Sequence, residues 1–599
     1  MLGYWEKYLE VDLTSRTVTE RKLDLSVARK YLGGRGLGAY LYLQYCPDPD
    51  VEPLGPENVV IIATGPLTGV PATGSGRLSA TTRSPLSRTI MDTNVGGMFG
   101  AFLKFSGHDA IVIKGRSESP VGLKVMEDSC ELFDAGDAWG MDTEETVEFY
   151  KKKFSNPLSV LSIGKGGENT VLYSGVIADG GRNFGRGGLG AVWGSKNLKA
   201  IVTRGRKKPE IFDKARFEEV KYELVKIIKA HPITSKVLPS LGTEGLMKVI
   251  DFYGILPTRN FQQGQFEGVD KVKGETLMET IFDRKSACWG CMIACGRMTD
   301  TGKEKGEGPE YETTWAMGPN LGIDDLKIIA EAGFHCNRHG LDSVSTGSTI
   351  AWAMEATERG VYDFGIRFGE AEKLVQYIDM IASKEGVGEL LALGTKRLSE
   401  KFGGTEFAMH VKGLELPAYD PRGSKGMGVV YTTSNRGACH LRGGYSVGFE
   451  ELGSPRKIDR FAVAGKGTHV ARSQDVGTFY DSAVVCRFNS YAVGMDIWAR
   501  LLNAVSNTNY TAADLEHIGE RVHNLERLIN LKLGFSKKDD SLPSRLTREV
   551  LKEGPAADQD LPLEEMLQEY YEYRGWTTEG VPTDQKIDQL DLRSDVPWL

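Results

Sequence analysis

Residues 288–295 read Cys-Trp-Gly-Cys-Met-Ile-Ala-Cys, a C-x2-C-x3-C cluster of Cys288, Cys291 and Cys295. Thiols this close point at one small site, and their softness favours zinc or an iron–sulfur cluster over the alternative of a chance cluster of buried thiols. Zinc sites usually pair C-x2-C with a second cysteine or histidine pair at a set distance, and none follows here. A local triplet plus one distant cysteine fits a [4Fe–4S] cluster better. The radical adenosylmethionine triplet has the opposite order. Cys486, in DSAVVCRFNSY, is the candidate fourth ligand; Cys336 and Cys439 compete, and chain arithmetic alone does not choose. Cys46 and Cys130 read as ordinary buried thiols. Eight cysteines in 599 residues are too sparse for a disulfide framework.

Composition narrows the class. The length suggests about three to four domains. Hydrophobic residues at 40% and charged residues at 26% are ordinary globular values. A net charge of −8, with basic residues mixed among acidic ones, argues against nucleic acid as a partner. The start, MLGYWEKYLEVDL, lacks the basic and apolar regions of a signal peptide. No run of about 18 apolar residues is present. The expectation is a cytoplasmic protein with no membrane association. Glycine is in excess, 72 of 599 residues and without period, which points to positive φ or close backbone approach.

The texture changes along the chain. VVIIATG, LSATTRSP, DAIVIKGR, VGLKVME, LSVLSIGKGG and LKAIVTRG are short apolar runs between turn signals and predict strands. KGRSESP and RGRKKPEIFDKA read as surface turns, the second a domain boundary. FEEVKYELVKIIKA, DDLKIIAEAGFHCNRHG and EAEKLVQYIDMIASKEG have helical spacing, as do DIWARLLNAV, DLEHIGERVHNLERLINLKLG and LEEMLQEYYEYRG. ELPAYDPRGSKGMG reads as a loop and a second boundary. The expected domains are residues 1–207, 211–417 and 418–599.

Three glycine-rich segments stand out: Gly33–Gly38 (GGRGLG), Asn94–Gly97 (NVGG) and Arg182–Gly190 (RNFGRGGLG). Successive N–H groups without Cβ hindrance form anion-binding concavities, and Arg35, Arg182 and Arg186 can fork onto phosphate. No GKS or GKT follows, so a Walker loop is absent. Several such loops in one domain suggest a large phosphorylated cofactor.

These motifs, in order, resemble the tungsten-containing aldehyde:ferredoxin oxidoreductase family over essentially the full length. They are YLGGRGLGAYLYL, TGPLTGVPATGSGR, SPLSRTIMDTNVGG, RNFGRGGLGAVWGSKNLKAI, CWGCMIACGR, GPEYETTWAMG, CNRHGLD, TSNRGACHLRGG, DSAVVCRF and YYEYRGWTTEGVPT. The resemblance implies an α+β multidomain fold: an N-terminal β-rich, pterin-binding domain followed by two mainly α-helical domains. It implies a tungsten ion held by the dithiolene sulfurs of two molybdopterins, and a [4Fe–4S] cluster on Cys288, Cys291, Cys295 and Cys486. Arg77 would lie between cluster and pterin. A magnesium ion joining the pterin phosphates would sit at Asn94 and Phe184. Gly96, Arg182, Gly185, Gly187 and Leu189 would complete the cofactor loops. Two pterin motifs follow. Asn337-Arg-His-Gly340-Leu341-Asp342 has Asn for a leading Asp. Asp481-Ser-Ala-Val-Val485-Cys486 has Val-Val for Gly-Leu, which puts close backbone approach there in doubt. Asp342 and Asp481 suit pterin N–H groups, which need acceptors; their other reading is helix capping.

By the same resemblance Glu312, in PEYET, and His440, in GACHL, are the active-site carboxylate and imidazole, with Glu310 the solvated acid of the pair. Tyr419 is a weaker candidate. The implied reaction is aldehyde to carboxylic acid, with electrons leaving through the cluster to ferredoxin or a dedicated iron–sulfur subunit. The chain is expected to form a homodimer or part of a hetero-oligomer. Some relatives carry a metal between subunits on a Glu and a His. Glu331 matches the Glu, but no His occurs between residues 341 and 409, so that site is expected to be lost. Three rivals stand beside this reading: an aryl-CoA reductase subunit of the same superfamily, an iron–sulfur electron-transfer subunit without tungsten, and a zinc-stabilised interaction protein. The intact GACHL segment favours aldehyde oxidation over the first.

Overall fold

The computed structural model describes residues 2–154, 158–442 and 444–599. The N-terminal part is built on two sheets. The first holds β1 (Lys7–Asp12), β2 (Thr17–Lys22), β3 (Val60–Ala63), β4 (Leu78–Arg83), β5 (Ile90–Val95) and β6 (Ala110–Lys114), in the order β2-β1-β6-β3-β4-β5. The second holds β7 (Val121–Val125), β8 (Cys130–Asp134), β9 (Ser159–Ser162), β10 (Val176–Ala178), β11 (Arg182–Phe184) and β12 (Leu198–Thr203), in the order β11-β10-β9-β12-β7-β8. The pairs β1–β6 and β7–β12 are parallel; the others are antiparallel.

The apolar runs are continuous rather than alternating because the central strands are covered on both faces. Successive side chains point to opposite faces. Thus Val60, Ile62, Ile111 and Ile113 pack toward Val121, Leu123, Leu161 and Ile201 of the second sheet. Ile61, Ala63, Ala110 and Val112 pack instead with Leu37, Leu41, Val522, Leu525 and Ile529. The last part of the chain therefore supplies one cover of the first sheet. Each such aliphatic side chain contributes about 1.5–3 kcal/mol on burial.

All six predicted strand runs contain strands, and all six predicted helical segments contain helices. Two readings need correction. GGRGLG is no open loop: it forms the first turns of the Gly34–Tyr45 helix, with Gly33 as its N-cap. Its glycines permit close packing. A Cβ would lie 2.3 Å from Thr64 O at Gly33, 2.3 Å from Tyr31 O at Gly36 and 2.2 Å from Thr81 Oγ1 at Gly38. The segment ELPAYDPRGSKGMG is a loop over residues 416–424, as expected, but its last four residues open the Lys425–Thr433 helix, and all of it is buried.

The Lys466–Ala483 helix escapes hydrophobic periodicity because its buried faces meet polar partners. Gln474 Nε2 donates to Thr433 Oγ1 at 2.7 Å, and Arg574 Nη1 to Asp475 Oδ1 at 2.5 Å. The largest apolar cluster joins the Tyr311–Met317, Leu326–His339 and Ser343–Glu358 helices to the Lys425–Thr433 and Leu563–Arg574 helices. A small sheet of β13 (Phe282–Ser286), β14 (Gly296–Asp300) and β15 (Lys305–Glu307) frames the cysteine triplet, which links β13 to β14. Among the described residues, no helix is long and apolar enough to cross a membrane.

Candidate functional site

A cavity of about 890 Å³ opens where these parts meet, lined by residues from Gly74 to Glu516. That is the upper end of the usual small-ligand range. One wall is sulfur. Cys288, Cys291, Cys295 and Cys486 all line it, although Cys486 is far from the triplet in sequence. Backbone bonds hold the two pieces: Trp289 N donates to Gly97 O at 3.0 Å and Cys486 N to Gly74 O at 2.9 Å. Met292 N donates to Thr73 Oγ1 at 3.2 Å. A Cβ at Gly96 would lie 2.6 Å from Cys288 Sγ, so only glycine leaves room for that thiol.

The sulfurs feel one another. Burial pushes the Cys486 thiol up to about 11 against the pull of Arg77, with Cys291 and Cys288 adding to the rise. Cys295 is raised by burial, then by Glu310 and Cys486. All four are free thiols. Thiols such as Cys295 and Cys486, which burial keeps protonated, become thiolates when a metal takes them as ligands. The two competitors for the fourth place lie elsewhere. Cys336 is in the apolar core of the Leu326–His339 helix. The Cys439 sulfur receives Arg436 Nη2 at 3.0 Å. Cys46 is buried as expected, but Cys130 is only half-buried.

A second wall is cationic, formed by Arg77, Arg182, Arg186, Arg436, Arg442 and Arg487. Arg182 pairs with Glu307 at 2.6 Å, and Arg442 with Asp92 at 2.6 Å and Asp481 at 3.3 Å. Arg436 Nη1 donates to Asp92 O at 2.6 Å. Arg436 Nε, Arg487 Nη1 and Asn183 Oδ1 are buried with no hydrogen-bond partner among the described residues. Buried polar atoms are normally paired. These suit an anionic, hydrogen-bonding guest such as a phosphorylated pterin.

The expected cofactor residues divide into two sets. Arg77, Asn94, Gly96, Arg182, Gly185, Asn337 and Asp342 line the cavity. Phe184, Gly187, Leu189, Gly340, Leu341, Asp481 and Val485 do not line it. Phe184, Leu189, Leu341 and Val485 are core residues. Gly187 (φ 99°) lies against Met91, and Gly340 (φ 66°) caps its helix in the left-handed conformation that favours glycine. Asp342 serves both expected readings: it lines the cavity and caps the Ser343–Glu358 helix, accepting from Ser345 Oγ at 2.8 Å. Asp481 is engaged by Arg35 at 3.4 Å as well as by Arg442. The phosphate reading of Arg35 fails, because its guanidinium forks onto Glu526 at 2.7 and 2.6 Å.

Glu312 and His440 stand at the same cavity. Glu312 lies in the first turn of the Tyr311–Met317 helix. Its Oε2 accepts from Ala418 N at 3.2 Å, while Oε1 stands 3.5 Å from His440 Nε2. Burial pushes the Glu312 carboxyl up to about 8. Burial, and then Arg186, Arg436 and Arg442, hold the His440 imidazole well below its usual value. Both groups are therefore neutral near pH 7. The Glu310 side chain is the more exposed acid, 38% against 20% for Glu312, and accepts from Thr243 Oγ1 at 2.5 Å. Tyr419 and Tyr445 flank His440 with ring centroids 5.6 and 5.9 Å away.

Sequence reasoning missed Arg436, Arg442, Arg487, Asn183 and Tyr445. The two arginines flanking GACHL in TSNRGACHLRGG were a usable signal; the Gly443 of that motif lies outside the described residues.

Comparison with known proteins agrees with this architecture. Residues 8–205 match the family model "Aldehyde ferredoxin oxidoreductase, N-terminal domain", and residues 219–592 match "Aldehyde ferredoxin oxidoreductase, domains 2 & 3". The chain is 44% identical to the tungsten-containing aldehyde ferredoxin oxidoreductase of Pyrococcus abyssi, with 99% of each chain covered. It is 30% identical to the WOR-like subunit of an aliphatic sulfonate oxidoreductase of Pyrococcus furiosus, covering 99% of this chain and 97% of that one. The solved active-site complex BamBC of benzoyl coenzyme A reductase shares the fold, with a TM-score of 0.86 at 24% identity over 99% of this chain and 98% of that chain. This chain belongs to the aldehyde ferredoxin oxidoreductase family.

Proposed function

We propose that this protein oxidises aldehydes to carboxylic acids at a tungsten bis-molybdopterin bound in the cavity. A [4Fe–4S] cluster on Cys288, Cys291, Cys295 and Cys486 would carry the electrons to ferredoxin or a dedicated iron–sulfur subunit. The observation that carries the reading is one cavity with a four-thiol wall, an arginine wall, and a carboxylate and imidazole 3.5 Å apart. The reaction is RCHO + H2O → RCOOH + 2 e⁻ + 2 H⁺. When bound, the metal cofactor supplies the two-electron acceptor and the cluster a one-electron exit.

The chain's own residues bind, orient and move protons. Arg436, Arg487 and Asn183 offer buried, unpartnered polar atoms to pterin and phosphate groups. Arg77 lies beside the cysteines, and Asp342 offers an acceptor to a pterin N–H. By the family resemblance, main-chain carbonyls of Asn94, which lines the cavity, and of Phe184, whose side chain lies in the core beside it, would hold the magnesium ion. Neutral His440 donates one N–H to the aldehyde oxygen, and Glu312, in the fraction of molecules where its carboxyl is ionised, accepts a proton as water adds at carbon. Tyr419, Tyr445, Tyr491 and Phe449 also line the cavity, an aromatic surface against which an aldehyde side chain can pack.

Anaerobically purified protein should contain about one tungsten and four irons per chain and reduce a viologen with aldehydes. Iron without tungsten or molybdenum, from a host that makes the cofactor, would instead leave an electron-transfer module.

A further inference from the structure

Away from the cavity, the Leu326–His339 helix carries His335 and His339 four residues apart, a spacing that places two side chains on one helix face. The neighbouring Leu374–Ser383 helix presents Asp379 to both. Asp379 Oδ1 lies 2.7 Å from His335 Nδ1 and 2.8 Å from His339 Nε2. One ligand atom from each residue falls within 4.8 Å of the others. The opposite nitrogen of His335, Nε2, faces Glu304 Oε1 at 3.4 Å, and Arg338 Nη1 holds Glu304 Oε2 at 2.5 Å. A carboxylate in this place can orient a metal-bound imidazole and fix which nitrogen keeps its proton. The site is open to solvent, with side-chain exposures of 18% for His335, 13% for His339 and 45% for Asp379.

We propose that His335, His339 and Asp379 form a divalent-metal site that takes Zn²⁺, with a fourth position open to water. Two imidazoles and one carboxylate are a borderline donor set suited to that ion. The ion replaces the two imidazole hydrogens now directed at Asp379; the neutral His335 ring keeps its one proton at Nε2, toward Glu304, the neutral His339 ring keeps its one proton at Nδ1, and any second ring proton leaves to solvent. The bound metal then links two helices at the protein surface. The site is separate from the Glu331 position considered above. Glu331 accepts from Thr301 Oγ1 at 2.8 Å and pairs with Lys303 at 3.2 Å.

The test uses tag-free holoenzyme incubated with Zn²⁺, desalted, and measured for zinc and iron per chain and by zinc-edge X-ray absorption. The expected result is about one zinc per chain, with only nitrogen and oxygen ligands at about 2.0–2.2 Å. His339→Gln and Asp379→Asn should each lower zinc affinity at least about tenfold with iron unchanged. Asp379→Asn serves should His339→Gln fail to fold. Wild-type protein that retains no zinc, variants that retain as much as wild type, or sulfur ligation of the zinc would each overturn the proposal.

Discussion

Glu312 Oε1 and His440 Nε2 face each other across 3.5 Å, yet burial keeps the carboxyl protonated up to about 8 and the imidazole uncharged. A pair that would form a salt bridge in water is here two neutral groups. The Glu312 carboxyl becomes an effective proton acceptor as pH approaches 8. Glu312→Gln should lower kcat by about 10²–10⁴-fold and remove a rise in activity through that pH range.

The same shift predicts a stability effect in cofactor-free protein. The unfolded chain releases this proton near its ordinary value of 4.5, the folded chain near 8. Glu312 therefore destabilises the fold increasingly as pH rises between those values, and not below them. Cofactor-free Glu312→Gln should melt above wild type at pH 8.5 and level with it at pH 4, as read by calorimetry.

Cys486 is the distant thiol on the sulfur wall, whereas Cys336 and Cys439 lie outside the cavity. Cys486→Ser should reduce iron well below about four per chain and bleach the visible absorption of the cluster. Cys336→Ala should leave the iron count unchanged. Iron lost equally in both variants would remove Cys486 from its proposed role.

Arg35 is nearly inaccessible and forks onto Glu526, with Asp481 at 3.4 Å and Asp92 at 3.5 Å. Arg35→Met strands these carboxylates, and losing one partner of a buried ion pair typically costs about 3–5 kcal/mol. The first transition in urea should move to lower concentration by a corresponding amount. Glu526→Gln should move it less, because it leaves the arginine its other acids.

Tyr445 lines the cavity beside His440, and its hydroxyl stands 3.4 Å from that of Tyr419. Tyr445→Ala should raise KM for benzaldehyde by about tenfold, equivalent to about 1.4 kcal/mol, and change KM for acetaldehyde far less. Steady-state kinetics with both substrates checks this.

Periodicity made the central strands and amphipathic helices legible because their partners are apolar. It passed over the Lys466–Ala483 helix, whose buried Gln474 and Asp475 answer to Thr433 and Arg574. GGRGLG misled for a related reason: glycine signals close approach without saying to what, and here the neighbours are backbone and Thr81 rather than phosphate. At the site, the cysteine spacing and the motif order pointed to residues that the fold brings to one cavity. The arginines had no such spacing. Arg442 acquires its place from Asp92, 350 positions earlier in the chain, a pairing no local pattern encodes.

That pairing has a consequence for biosynthesis. The His440 loop is fastened to the first sheet through Arg436 and Arg442, and Cys486 to the Gly74 backbone. A nascent chain released only as far as the cysteine triplet thus has a sulfur wall of three and no arginine clamp from the later segments. The cavity acquires its full lining only when the last third of the polypeptide docks on the first.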